Sequence, residues 1–258
     1  MKEIVSLLKQ GQLNNAIERC TSILQDEPMN FDVRGLFAEL LCINGELERA
    51  DKQLDFMVQK NPEFAIGAVN LRHLIRAQQA RLDFYQGKGI PQLFHEADEL
   101  DKVYLASHLS RVEKNYEEAA EKVTKIDEHI QSLKKDDLPR DLDDSLNYYV
   151  EVLGTNGEFY LARFDEIIQL EVLPAESYLE TIWLRVNIEI TDGPSGIAHI
   201  PAVYAHSSLD VEKLAQVTEW DELKTDFNLG KGMKMLFIDD EARPITELNI
   251  TREVAAEV

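Results

Sequence analysis

GQLNNAIERC, Gly11 to Cys20, and GELERADKQL, Gly45 to Leu54, place Gly, Leu and Ala at matching positions 34 residues apart. The match continues past this pair. Leu13 answers Leu47, Ala16 answers Ala50, Cys20 answers Leu54, Ile23 answers Met57, Leu24 answers Val58 and Pro28 answers Pro62, all at one offset. A fixed period of this length is the mark of a helical repeat array. The shared positions suit two helices per unit. Ala16 and Ala50 are small enough for antiparallel helices to approach closely. Gly11 and Gly45 stand where a first helix must stop and turn. Pro28 and Pro62 end the second, because proline cannot continue a helix. Between them, apolar residues recur every three or four positions, as a buried helical face requires.

This skeleton resembles the tetratricopeptide repeat over roughly residues 1–62. The resemblance then decays. Residues 64–86 read as one long helix, with Gln79 where the next unit would place its glycine. GKGIPQ, Gly87 to Gln92, reads as a loop. KNYEEAAEKVTKIDEHI, Lys114 to Ile130, again has the form of a second helix. We therefore expect a tetratricopeptide-like helical array over residues 1–135. Stacked helix pairs make a concave surface suited to a peptide or a helix. In tetratricopeptide geometry its groove-facing positions would be Asp32, Glu39, Ile43, His73 and Arg76.

Past residue 140 the period changes to two. In TIWLRVNIEIT, Thr181 to Thr191, Ile182, Leu184, Val186, Ile188 and Ile190 share one face, while Trp183, Arg185, Asn187 and Glu189 share the other. That alternation predicts a half-buried strand. DGPSG, Asp192 to Gly196, predicts a tight turn, and GIAHIPAVY the antiparallel partner. LNYYVEVLGTNGEFYLARF reads as a second hairpin around Asn156–Gly157, and MKMLFI, Met233 to Ile238, as a further strand followed by a turn at DDEARP. Short helical pieces are expected near FDEII and VTEWDEL. KKDDLPR, Lys134 to Arg140, has the composition of a linker. The fold class expected is multi-domain α+β: the helical repeat array, then an antiparallel β-rich domain with short helices over residues 141–258. Trp183, opposite the aliphatic face of its strand, is expected either to pack on the array or to anchor a partner.

The chain has 258 residues, 27 basic and 48 acidic, for a net charge of −21. The part after residue 150 is shorter yet more acidic. Such a field repels phosphate backbones and anionic lipid, which argues against nucleic acid and membrane surfaces as partners. No apolar run reaches about 18 residues, so no transmembrane helix is expected. MKEIVSLLKQ lacks a signal-peptide pattern, so a cytoplasmic location is expected. Cys20 and Cys42 both lie on apolar helical faces and read as buried thiols.

Chemistry needs a constellation, and the sequence offers few. The six histidines form no HExxH or HxH pair, and a zinc site needs about four converging ligands. GKG, at Gly87–Gly89 and Gly230–Gly232, lacks the spacing of a phosphate loop and reads as a turn in both places. DLDDS, Asp141 to Ser145, and IDDEA, Ile238 to Ala242, could supply acid and base or hold a cation. Solvated loops are the simpler reading. A carboxylate-dependent hydrolase using Asp143, Asp144, Asp239 and Asp240 stands as an alternative, on condition that these converge. No cofactor, metal or small-molecule substrate is expected.

The C-terminal text is more specific. The DLDD of Asp141–Asp144, NGEFY at the hairpin, the FDEI turn, the WLR of Trp183–Arg185, DGPSG, and the IPAVY of Ile200–Tyr204 occur in order. VTEW and GKGMKMLFIDDEARPITEL follow, and LLKQGQLNNAIE suits the opening. Together they resemble the ImpE family, also called SciE or TagJ, accessory proteins of bacterial type VI secretion clusters. The resemblance implies a non-catalytic adaptor, which docks a helix of the small contractile-sheath subunit and connects it with the sheath-recycling ATPase. A chaperone-like module binding peptides of secreted effectors is a further alternative. The expected partner-binding residues are Asp32, Glu39, Ile43, His73, Arg76 and Trp183.

Overall fold

A computed structural model describes residues 1–132, 138–224 and 227–252. The KKDD part of the expected linker and the final residues of both expected domains lie outside the described residues. The repeat governs the first four helices. They are α1 (Lys2–Lys9), α2 (Leu13–Asp26), α3 (Phe31–Asn44) and α4 (Leu47–Lys60). Gly11 and Gly45 make the turns between paired helices with φ of +72° and +85°, a region that costs glycine nothing. Ala16 and Ala50 are wholly buried where the helices close on each other. With no glycine at position 79, α5 (Ala65–Tyr85) runs unbroken for 21 residues. The pair α6 (Glu99–Val112) and α7 (Tyr116–Ser132) extends the array.

The second part is built from antiparallel strands. These are β1 (Arg140–Asp141), β2 (Tyr149–Leu153), β3 (Phe159–Arg163), β4 (Ile167–Val172), β5 (Trp183–Ile190) and β6 (Ser195–Pro201). A short helix α8 (Asp210–Lys213) follows. Then come β7 (Thr218–Lys224), β8 (Phe227–Gly232), β9 (Met235–Ile238), β10 (Glu241–Pro244) and β11 (Asn249–Thr251). One sheet has the order β11-β4-β5-β6-β2-β3, a second β1-β9-β10, and β7 pairs with β8. The whole is a mixed α+β fold, a tetratricopeptide-like array followed by antiparallel sheets.

The alternation of β5 decides how the two parts meet. Leu184, Val186, Ile188 and Ile190 join Val150, Val152, Leu236 and Ile245 in a core on the side of the sheet away from the array. Trp183 points the opposite way. It shares one continuous apolar cluster with Leu153, Phe159 and Leu161 of the sheet and with Leu40, Leu74 and Phe84 of the helices. The array and the sheet therefore fold against each other rather than hanging from a linker.

Three local expectations change, and the helical piece expected near FDEII is present. The turn expected at DDEARP is limited to Asp239 and Asp240, because Glu241–Pro244 pairs with β9 as β10. VTEWDEL is strand β7, not a helical piece; its pairing with β8 overrides a sequence that has no apolar alternation. Gly230–Gly232 belongs to β8 rather than to a turn, and Gly230 is needed there because a Cβ would come within 2.2 Å of the Tyr204 ring. FDEII gives one helical turn, Phe164–Glu166, before β4 begins.

Charges are buried at the seam. The Arg81 guanidinium of α5 donates from Nε and Nη2 to the two carboxylate oxygens of Glu151 on β2, at 2.7 and 2.8 Å. The Lys234 ammonium also pairs with Glu151. Arg81 makes a further bond to the Val203 carbonyl at 2.9 Å. Glu151 is 0 % exposed, Lys234 1 % and Arg81 2 %. Burial alone would raise the Glu151 carboxyl; the two cations outweigh it and hold the group down at about 2. Removing one member of such a group leaves a charge stranded without water. E151L should lower the unfolding free energy by about 3–5 kcal/mol in urea melts, and the triple change R81M/E151L/K234M should recover most of it. Because the folded pKa lies below the usual 4.5, the Glu151 contribution is present above that pH and is lost as pH falls towards about 2. The acid limb of a stability–pH curve should flatten in E151L.

Candidate functional site

Where α3 and α5 face β5 and β6, the chain leaves a cleft of about 410 Å³. Glu39 comes from α3, and Gly67, Asn70, Leu71 and Leu74 from one face of α5. Trp183 and Arg185 come from β5, Ile197 and His199 from β6, and Thr155 from the β2–β3 turn. Strand period sends Trp183 and Arg185 to the array side, and the β5–β6 register sets Arg185 opposite His199. The segment Ser177–Glu180 closes one side.

Polar groups in the cleft are partly tied down. The Leu179 N–H donates to Glu39 Oε2 at 3.2 Å, which pins a helical turn, Leu179–Thr181, on α3. Burial raises the Glu39 carboxyl above the usual range, the nearby Glu180 adds to the rise, and hydrogen bonds from the 177–179 segment oppose it. Arg185 Nη2 donates to Glu176 at 2.5 Å, and its Nε lies 3.9 Å from Glu180. Burial lowers the His199 imidazole, and its buried Nδ1 has no hydrogen-bond partner among the described residues.

The expected groove is thus not an open one. Of its five positions, Glu39 holds Leu179, and Ile43 is buried in the shared core. His73 Nδ1–H donates to the Thr155 carbonyl at 2.7 Å, and Arg76 lies against Gly157. Asp32, at the start of α3, and Arg76 are exposed. Trp183 is 2 % exposed and packs in the seam. The chain's own sheet covers the array face that the repeat leaves apolar. Of the residues expected to bind a partner, Glu39 and Trp183 line this cleft; Arg185, His199 and Leu179 line it too and were not among those expected. Arg185 shared the face of Trp183 and was legible there. His199 depended on a register that no single strand reveals.

The acidic motifs do not assemble a catalytic centre. DLDDS is buried rather than solvated, because its carboxylates accept backbone N–H groups of an irregular turn. Asp143 takes Ser145 at 2.7 Å and Gly230 at 2.8 Å; Asp144 takes Asn228 at 2.8 Å and the Arg140 guanidinium at 2.7 Å. Asp141 accepts the Tyr204 hydroxyl at 2.9 Å. Asp239 and Asp240 sit exposed on the turn between β9 and β10. Asp143 is thus sealed within the turn, whereas Asp239 and Asp240 face solvent. His95, Asp98 and Asp101 come within metal-ligand distance of one another. Asp98 there caps α6 and binds the Arg163 guanidinium at 2.5 Å, while Asp101 accepts the Tyr149 hydroxyl at 2.9 Å. The Arg163 guanidinium thus already pairs with Asp98 and lies 3.9 Å from Asp101.

Comparison with known proteins fits this two-part construction. The family model described as ImpE protein matches residues 135–252, and a tetratricopeptide repeat model matches residues 7–68. A Vibrio parahaemolyticus protein solved by crystallography superposes with a TM-score of 0.90 at 33 % identity, covering 98 % of each chain. A curated Pseudomonas aeruginosa protein, the type VI secretion system accessory component TagJ, is 22 % identical over 244 residues, 91 % of this chain and 84 % of that protein. Residues 135–252 form an ImpE domain. The cleft draws on both matched regions: Glu39 lies in the repeat segment and Trp183, Arg185 and His199 in the ImpE segment. Leu71 and Leu74, which supply its floor, lie between the two.

The Glu39 bond is open to test. E39A removes the acceptor of the Leu179 N–H, a loss of about 1–2 kcal/mol locally. Amide exchange at Leu179 should quicken by roughly 5- to 30-fold while exchange in α1 and α2 stays unchanged.

Proposed function

We propose that this protein is a non-catalytic adaptor of a bacterial type VI secretion system, working in the cytoplasm. It docks a helix of the small contractile-sheath subunit and links that subunit to the sheath-recycling ATPase. The observation that carries this reading is the cleft itself, which is built jointly by array and sheet and has an apolar floor. Leu71, Leu74 and Trp183 form the floor. Ile197, at the mouth, is 47 % exposed, and Ile66 and Val69 stand exposed beside Gly67 and Asn70 on α5. An amphipathic helix carries anchors at i, i+3 and i+4. One anchor would enter the cleft and its neighbours would lie on Ile66 and Val69. Glu39, Glu180 and the net charge of −21 favour a basic flank on that helix. His73 and Arg76 act from behind, by fixing the β2–β3 turn that carries Thr155.

The role of the Pseudomonas aeruginosa relative in type VI secretion supports the setting. Helical repeats support a protein partner over a small molecule. No helix among the described residues is long and apolar enough to cross a membrane.

Calorimetric titration with the purified small sheath subunit, and with its helices as peptides, tests the reading. Saturable one-to-one binding at micromolar strength or better is expected, carried by a single helix. I66D and I197D, both at exposed positions, should weaken it about tenfold or more without lowering the melting temperature. An absence of heat and of co-elution across a range of salt would contradict the docking mechanism.

A further inference from the structure

The strand β7 carries a feature that the cleft does not use. It pairs with β8 on one edge only, and no described residue pairs with the other. In an antiparallel pair every second residue turns its N–H and C=O away from its neighbour, so this edge presents a row of unfilled hydrogen-bonding groups. Glu219, Trp220, Asp221 and Glu222 are all exposed. Trp220 is 40 % exposed, an unusual position for the largest apolar side chain. Its ring is held in place 5.7 Å from that of Tyr204, opposite Gly230, where no side chain intervenes. The indole is thus a fixed apolar plate beside an open strand edge.

We propose that β7 is a second docking surface, which takes an extended basic segment of a protein partner as an added strand. Main-chain bonds to the open edge supply affinity, and alternate side chains supply selectivity. Charge decides the occupant. Asp221 is paired with Lys231 at 2.6 Å, whereas Glu219 and Glu222 make no close ion pair among the described residues. Native edges are commonly blunted by lysine or proline. This one carries acids and a tryptophan, which repel a nucleic acid and admit lysine or arginine. A second copy of the chain fits poorly, because antiparallel pairing of β7 with itself would set acids opposite acids. The surface is separate from the cleft, and it gives an adaptor a second point of attachment.

The test uses the full chain and a short peptide alternating lysine and valine, with a glutamate–valine peptide as control. Trp183 is buried, so a change in emission reports Trp220. The lysine peptide should give a saturable blue shift and slow amide exchange within β7. W220F should lose the shift, and E219K/E222K should weaken binding about tenfold or more. I66D and I197D should leave the response intact, which separates this site from the cleft. An equal response to the glutamate peptide, or unchanged exchange in β7 at saturating lysine peptide, would overturn the proposal.

Discussion

Arg81, Glu151 and Lys234 hold three charges where water does not reach, and the geometry of the molecule follows from that constraint. Taking one such charge out of water costs several kcal/mol, so the group persists only while all three stay together. Arg81 belongs to α5, the longest described helix of the array, Glu151 to β2, and Lys234 to the approach to β9. Their mutual satisfaction fixes α5 over β2. Since β6 lies beside β2 in the sheet, it also fixes the distance from α5 to β5 and β6. That distance is the width of the cleft.

The same seam changes what the repeat array is for. An isolated array offers its concave face to a partner. Here the face is largely met by the chain's own sheet, through Trp183 and Leu179 and through the bonds of Glu39 and His73. In the proposed function, recognition moves to the line where array and sheet join, and to exposed elements beyond it. A partner that binds there touches both parts at once, so its affinity depends on how firmly the buried charges hold them in register.

What the sequence displays and what it hides follows from the range of the interactions. The 34-residue period is local chemistry repeated, and the turns at Gly11 and Gly45, the buried Ala16 and Ala50 and the ends of α1 to α4 follow from it. The two-residue period of β5 is equally local, and so is the hairpin at Asn156–Gly157. Occupancy of the groove is not local: Leu179 meets Glu39 across 140 positions. The burial of DLDDS depends on β8 supplying N–H donors from far along the chain. β7 has a polar sequence whose strand form comes from its partner rather than from its own pattern. The place of Glu39 and Trp183 at the cleft was legible because each follows from a period. His199 was not, because its place is set by register.

In the proposed docking, a helix of the small sheath subunit seats at the seam between array and sheet. Hydrogen exchange of the full chain, with and without that subunit, reads out that contact. Slower exchange in the first half of α5 and in β5 and β6, with α1 and α2 unchanged, is the result predicted. Slower exchange confined to α1 and α2, or none anywhere at saturating subunit, would contradict it.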